Sequence, residues 1–298
     1  MQTLFKSDHP MSVTLHPWLQ LIKIPLCMLV ACSAGFGFIL HTPELTPSLG
    51  IALFGVFSLA CGAAGFNSLQ EVSADNLLLR TSKRPLVTGR LSRHEAIGFS
   101  LLFVFLGLLC LFLSADDWHP LWLGITAIVF YNGIYTPLKH TSVFALFPGG
   151  IAGALPALIG WEAAGGLLTD SRAMVLLSLF FLWQIPHFCL ILLYYQEDYR
   201  RVQQPTLIRL LSEQSLKRIT MVWILAFTTV ALSLTLYRDL LNTGARITIT
   251  LMAGVMISLC IPLFLKTNIS TYHRLLFIFN GSFFSTMLTV AFLQLHTH

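Results

Sequence analysis

Residues 49–75 read LGIALFGVFSLACGAAGFNSLQEVSAD. Most of this stretch is an apolar run long enough to cross a bilayer as a helix, which requires about 20 residues. The run passes into Asn67, Glu71 and Asp75, whose spacing places three oxygen-bearing side chains on one helix face. A basic cluster follows at once: Arg80, Lys83 and Arg84. Because charged groups at the edge of a membrane span are costly, we interpret this stretch as a helix end that carries a functional site.

The composition indicates an integral membrane protein. Of the 298 residues, 55% are hydrophobic and only 10% are charged, whereas a soluble domain carries about a quarter charged residues. The mean hydropathy is +0.75. The six cysteines are scattered through apolar runs without a CxxC pair, and we interpret them as small buried residues rather than metal ligands or disulfides.

Apolar segments of spanning length recur along the whole chain, which predicts an all-α, multi-pass transmembrane bundle of about nine helices. We expect one domain over residues 1–298 with no appended soluble domain. The predicted helices lie near residues 19–40, 49–69, 96–114, 119–138, 143–164, 173–195, 219–238, 246–265 and 273–294.

The distribution of basic residues predicts the orientation. If residues 1–18 form a cytoplasmic N-terminal segment, all of the 18 Lys and Arg residues except Arg172, Arg238 and Arg246 lie on the cytoplasmic side. This bias follows the positive-inside rule and predicts a cytoplasmic N-terminus and an outside C-terminus. We interpret the net charge of +5 as a topology signal, and not as a sign of nucleic-acid binding.

A second polar cluster, Glu197-Asp198-Tyr199-Arg200-Arg201, follows the sixth predicted helix and faces the same side of the membrane. Alone it would be an ordinary interfacial turn. Paired with the first cluster, it predicts two carboxylate sites that grip a diphosphate through Mg²⁺ from opposite sides.

Two further elements leave alternatives open. Tyr135 and Lys139 stand four residues apart, and they are either functional or an interfacial aromatic with a snorkelling lysine. His187, which follows Pro186 inside a predicted span, is either a ligand or a hydrogen-bonded structural residue. We interpret the other histidines as loop or terminus residues: His9, His16, His41, His94, His119, His140, His273, His296 and His298.

Together these motifs resemble the UbiA superfamily of intramembrane prenyltransferases, and more narrowly its protohaem IX farnesyltransferase branch, over about residues 60–282. Three elements carry the resemblance: the first signature (Asn67, Asp75, Arg80, Thr81, Arg84, Pro85, Leu86), the string Leu182–Phe188 followed by Asp198, Tyr199 and Pro205, and the element Tyr135, Thr136 and Lys139. The chain departs from the family pattern at four positions. Glu71 and Ser73 replace aspartates, Leu78 replaces a methionine, and Tyr195 replaces an arginine.

The resemblance implies a UbiA-like fold and transfer of a farnesyl group from farnesyl diphosphate to a vinyl group of haem B, giving haem O, with Mg²⁺ as cofactor. It assigns metal binding and catalysis to Asn67, Glu71, Asp75 and Asp198. It assigns diphosphate binding to Arg80, Lys83, Arg84 and Lys139. It places His187, Trp183, Tyr135 and Tyr199 in the haem or acceptor pocket.

The implied setting is a bacterial inner membrane, with the site facing the cytoplasm. The implied partners are farnesyl diphosphate, haem B and the lipid bilayer, with haem A synthase or terminal oxidase assembly downstream and no nucleic acid. Two alternatives stay open: a UbiA-type enzyme that prenylates a quinone-precursor ring, a chlorin or a lipid phosphate, and a non-catalytic relative on the same scaffold.

Overall fold

The structure, a computed structural model, describes residues 15–77, 81–201, 205–265 and 268–296. Its α-helices, in chain order, are α1 (Leu15–Ile22), α2 (Ile24–His41), α3 (Pro47–Gln70), α4 (Val72–Asp75), α5 (Arg93–Leu113), α6 (His119–Ile128), α7 (Thr136–Leu138), α8 (Leu146–Ala163), α9 (Ser171–Tyr194), α10 (Gln196–Arg201), α11 (Leu207–Leu210), α12 (Glu213–Leu234), α13 (Thr243–Ser258), α14 (Cys260–Phe264) and α15 (Ile269–Leu295). A π-helix, Val129–Tyr135, joins α6 to α7, and a 3₁₀ turn, Val143–Ala145, precedes α8.

Within the described residues, nine helical segments are long and apolar enough to cross a membrane, which confirms the predicted fold class. The first differs from its prediction, because the expected helix over 19–40 is interrupted. Lys23 has a left-handed backbone with φ of 53°, and α1 and α2 lie on either side of it. Pro25 in the first turn of α2 accounts for the break, since proline has no N–H to donate to the carbonyl of Leu21 and its ring would clash with that carbonyl in a continuous helix.

The fourth spanning segment changes its helical form half-way. The π-helix Val129–Tyr135 widens the turn just before Pro137, which has no N–H to donate. At its end the hydroxyl of Thr136, the first residue of α7, donates to the Tyr131 carbonyl at 2.8 Å. The widened turn delivers Tyr135 and Lys139 to one end of the bundle.

Glycines allow two helices at the centre of the bundle to touch backbone to backbone. A Cβ on Gly37 of α2 would lie 1.9 Å from the Ala157 carbonyl oxygen of α8. A Cβ on Gly160 of α8 would lie 1.8 Å from the Ala34 oxygen of α2. Small residues of this kind let membrane helices approach closely. α2 and α8 therefore form a closely packed pair, against which the neighbouring helices α3, α9 and α15 pack.

The helices alternate in direction, so the loops fall into two sets at opposite ends of the bundle. One end holds the C-terminus of α3, α4, the segment 81–92, α7, the end of α9, and α10 with α11. The other, which we call the far end, holds the segments 42–46, 114–118, 164–170 and 235–242. Both predicted polar clusters lie at the first end.

Candidate active site

Asn67, Glu71 and Asp75 form one continuous face although α3 ends between them. The Glu71 N–H donates to the Asn67 carbonyl at 3.1 Å, and the Asp75 N–H donates to the Glu71 carbonyl at 2.8 Å. Helical register therefore persists across the junction of α3 and α4. Asn67 and Asp75 are buried, with 2% and 4% of their surface exposed.

Each of these three side chains contacts a basic side chain. The Lys23 ammonium donates to Asn67 Oδ1 at 3.0 Å. Lys139 Nζ forms an ion pair with Glu71 Oε1. Arg84 Nη1 lies 2.5 Å from Asp75 Oδ2 and 4.0 Å from Glu71 Oε2. These are charge-assisted contacts, stronger than neutral hydrogen bonds.

The segment after α4 folds back so that Arg84 reaches the carboxylates. The Thr81 hydroxyl donates to the Asp75 carbonyl at 2.9 Å. Arg90 Nη2 donates to the Lys83 carbonyl at 2.7 Å, which closes the turn while the Lys83 side chain stays exposed to solvent. Arg80, to which the family resemblance assigned diphosphate binding, lies outside the described residues.

Lys23 is the cation that sequence reasoning did not assign to the site. It is the only charged residue between Trp18 and Leu40, and a lone charge in an apolar run is the sequence feature that could have indicated a role at the site. Burial, together with repulsion from Arg84 and Lys139, lowers the pKa of Lys23 to about 8, despite attraction from Glu71. A lysine whose charge is destabilised in this way gains most from a bound anion.

Glu71 is kept ionised by its neighbours. Burial alone would raise the pKa of its carboxyl, but the charge and hydrogen bond of Lys139, with help from Lys23 and Arg84, outweigh burial and hold that pKa below its usual range. Replacement of the family's aspartate by Glu71 therefore keeps a negative charge at this position.

A cavity of about 290 Å³ opens beside these charges and joins the two predicted polar clusters. Its lining includes Glu71, Asp75, Arg84 and Lys139 on one side and Tyr199, Pro205, Thr206 and Leu207 on the other. Asp198 is partly buried on α10, next to Tyr199 in the chain, and is outside the set of described residues that line the cavity. The structure thus brings the two clusters to one cavity, to which the second cluster contributes Tyr199 and not the predicted ligand Asp198.

Aromatic and apolar groups form the wall that faces the bundle interior. Tyr135 stacks on Tyr131 with ring centroids 5.7 Å apart and lies 6.2 Å from Phe188. Lys139 Nζ lies 4.9 Å from the centre of the Tyr135 ring. Gly149 leaves room for that ring, since a Cβ there would come within 2.8 Å of it. We call the part of the cavity lined by Glu71, Asp75, Arg84 and Lys139 its charged mouth. Contact between Lys139 and the Tyr135 ring joins this mouth to the aromatic wall.

His187 and Trp183 lie one layer away from the lining of this cavity. His187 Nδ1 is 2.9 Å from Asn280 Oδ1, and the Trp183 ring stacks on His187 with centroids 4.9 Å apart. Trp183 also stacks on Phe283 at 5.3 Å. Its indole Nε1 is buried and lacks a hydrogen-bond partner. Of the four residues assigned to the acceptor pocket, Tyr135 and Tyr199 line the cavity.

The residues at the mouth fit a divalent cation and a diphosphate together. Glu71 and Asp75 line the cavity and offer carboxylate oxygens, the ligands that Mg²⁺ prefers, while Asn67 lies behind them with its Oδ1 accepting from Lys23. Three cations, Lys23, Arg84 and Lys139, surround the two carboxylates. Their excess positive charge favours the binding of an anionic ligand. Asp198 would add a further oxygen from the second cluster.

The family model described as the UbiA prenyltransferase family matches residues 28–289. The chain belongs to the UbiA prenyltransferase family. It is 35% identical over 233 residues to protoheme IX farnesyltransferase of Nitratidesulfovibrio vulgaris, covering 78% of this chain and 80% of that protein.

Solved structures share the UbiA fold with this chain. One, from work on digeranylgeranylglyceryl phosphate synthase, superposes with a TM-score of 0.75 at 16% identity, covering 93% of this chain and 98% of the other. A UbiA homologue from Archaeoglobus fulgidus, bound to GPP and Mg²⁺, superposes with a TM-score of 0.61 at 17% identity, covering 91% and 99%. In this UbiA chain, Lys23 precedes the residues that match the family model.

Proposed function

We propose that this UbiA prenyltransferase transfers the farnesyl group of farnesyl diphosphate to a vinyl group of haem B and so produces haem O. The observation that carries the proposal is the single cavity in which two carboxylates, two cations and an aromatic wall meet, with Lys23 close behind. The name of the Nitratidesulfovibrio relative, protoheme IX farnesyltransferase, supports haem B as the acceptor.

The first chemical task is to accept the leaving diphosphate. As the C–O bond of the substrate breaks, negative charge grows on the phosphate oxygens, and preorganised cations stabilise that charge. Arg84 and Lys139 line the cavity, and Lys23 lies behind Asn67. A divalent cation held by Asn67, Glu71, Asp75 and Asp198 would supply Lewis-acid charge to the same oxygens. Its presence in the Archaeoglobus homologue supports this assignment.

The second task is to protect the farnesyl cation that remains. Tyr135 and Phe188 present aromatic faces to the cavity, and such faces attract cations. Apolar side chains of α8 and α9 extend the wall toward the bundle interior: Leu146, Ile191 and Leu192. The electron-rich vinyl carbon of haem then attacks the farnesyl cation, and water adds to the resulting centre with loss of a proton.

The acceptor is held at the inner side of this cavity. Tyr135 and Tyr199 line it directly, whereas Trp183 and His187 form the layer behind Phe188. We assign that layer to the edge of the haem pocket, where the unpartnered indole N–H of Trp183 is available to an acceptor oxygen. We assign Lys83, whose side chain is exposed, to the same diphosphate-binding set, together with Arg80, which lies outside the described residues.

The setting proposed for this reaction is a bacterial inner membrane, with the cavity at the cytoplasmic end. The orientation rests on the basic residues concentrated at that end. Farnesyl diphosphate would then enter from the cytoplasm, and the product would pass to haem A synthase or to terminal oxidase assembly.

The test is haem extraction and mass analysis from cells that express the wild type or Asp75→Asn. We expect haem O in the wild type and its loss in the variant at equal membrane abundance, because Asp75 is buried at the cation site. Asp116→Asn, at the far end of the bundle, is the matched control and should leave haem O unchanged. Purified membranes given farnesyl diphosphate with haem B or 4-hydroxybenzoate test the acceptor, and prenylation of the benzoate alone would refute haem O synthesis.

A further inference from the structure

A second cluster of potential metal ligands lies at the far end of the bundle, away from the candidate active site. It joins Asp117, in the turn between α5 and α6, to His119, the first residue of α6, and Glu162, near the end of α8. His119 Nδ1 lies 3.0 Å from Glu162 Oε2 and 3.3 Å from Asp117 Oδ2. One ligand atom from each residue lies within 4.8 Å of the other two.

Glu162 provides an independent sign that something is bound here. Its side chain is 1% exposed, and its second carboxylate oxygen, Oε1, is buried without a hydrogen-bond partner. A buried carboxylate oxygen left unsatisfied is costly, and native proteins rarely keep one without a partner or an ion. His119 contacts Oε2, and the Leu168 backbone N–H also approaches the carboxylate, yet Oε1 accepts no hydrogen bond of ordinary geometry.

The surroundings hold the three residues in place while leaving the site open. The Ser48 hydroxyl donates to the carbonyl oxygens of Ser114 and Ala163, so it joins the 114–118 turn to the end of α8. The His119 N–H donates to Asp117 Oδ1 at 3.0 Å, which fixes the turn. The side chains of His119 and Asp117 are 55% and 52% exposed, so an ion can enter and keep water in its remaining coordination positions.

We propose that Asp117, His119 and Glu162 form a binding site for a divalent transition-metal ion of the Zn²⁺ class. One imidazole nitrogen and two carboxylate oxygens suit Zn²⁺ and its neighbours, whereas Mg²⁺ prefers all-oxygen sites. Three protein ligands also leave a position for water. The ion would supply the missing partner of Glu162 and tie the 114–118 turn to α8. It is separate from the cation that serves the diphosphate at the other end.

The test measures zinc bound to the purified full-length chain in detergent. The protein is first treated with a chelator, then equilibrated with micromolar Zn²⁺ in excess Mg²⁺, desalted, and analysed for metal content. We expect about one Zn²⁺ per chain in the wild type, the number that a single site of three protein ligands holds. His119→Ala and Glu162→Gln should lose it. Asp116→Asn and His296→Ala are controls, since each changes an exposed residue of the same type at the same end, and both should retain it.

Asp117→Asn provides a second, milder variant in case the others disturb folding, and it should weaken zinc binding about tenfold or more. Thermal unfolding gives a second readout, because a ligand that binds only the folded state raises its midpoint. Zn²⁺ should raise that midpoint in the wild type and in Asp116→Asn but not in His119→Ala. Absence of zinc from the wild type, or equal zinc in His119→Ala and Glu162→Gln, would overturn the proposal.

Discussion

Replacement of Lys23 by methionine tests the structure most directly, since the side chain keeps its length but loses its charge. Lys23 donates to Asn67 at 3.0 Å and shares the site with Glu71, Asp75, Arg84 and Lys139. It sits at the break between α1 and α2, where its left-handed backbone directs it at the end of α3. We expect Lys23→Met to fold normally and to bind diphosphate poorly.

The size of the effect follows from Coulomb's law. Lys23 lies behind Asn67 and does not line the cavity, so it acts on a diphosphate there from beyond contact distance. Two unit charges about 8 Å apart interact by about 2 kcal/mol at an effective dielectric constant of about 20. A loss of about 2 kcal/mol of transition-state stabilisation corresponds to a fall of about 30-fold in kcat/KM. Lys23→Arg, which keeps the charge, should recover most of this loss.

The pH profile separates this role from a purely structural one. The pKa of Lys23 is lowered to about 8, and an anion binds only the charged form well. The value of kcat/KM, which reports the free enzyme, should therefore fall as pH rises through about 8 in the wild type. This fall in kcat/KM at alkaline pH, the alkaline limb of the profile, should be absent in Lys23→Met and should move to higher pH in Lys23→Arg.

The assay is haem O formation by purified protein in detergent, with farnesyl diphosphate varied at each pH and saturating haem B. A Lys23→Met protein that keeps wild-type kcat/KM would refute the placement of Lys23 at the diphosphate. An unchanged alkaline limb in that variant would show that another group titrates.

Three further substitutions test the surrounding structure. Ser73→Asp restores the family's acidic pattern, but Ser73 is exposed and outside the cavity lining, so kcat/KM should stay within about twofold of wild type; a change of about tenfold would place Ser73 in the site. Gly149→Val should displace the Tyr135 ring, which a Cβ would approach to 2.8 Å, and lower kcat in the haem O assay, while Gly254→Ala, with open space around it, should not. Gly160→Ala should separate α2 from α8 and destabilise the fold by about 1–3 kcal/mol, seen as a lower midpoint of thermal unfolding; an unchanged midpoint would refute the close approach.

The spanning helices could be predicted from the sequence because lipid imposes a strict rule. Every backbone polar group inside the bilayer must be satisfied within its own helix, so a span requires about 20 apolar residues in a row. The face formed by Asn67, Glu71 and Asp75 was predictable for a related reason, since helical periodicity fixes which residues align.

Contacts between distant segments were not predictable in the same way. Lys23 reaches the site from a helix break two residues before Pro25, a change of backbone direction that hydropathy does not record. His119, interpreted from the sequence as a loop residue, meets Glu162 across 43 positions of the chain. In both cases the pairing depends on how helices pack, and single-segment patterns carry no information about packing partners.

The charges at the site explain why cation and diphosphate binding should be coupled. Glu71 and Asp75 are neutralised by Lys139 and Arg84. An anion that draws these basic groups away leaves buried carboxylates without a partner, which is costly. A cation that takes the carboxylates leaves the basic groups facing one another. Each ligand therefore removes the cost that the other creates, and by linkage each must raise the affinity of the other by the same factor.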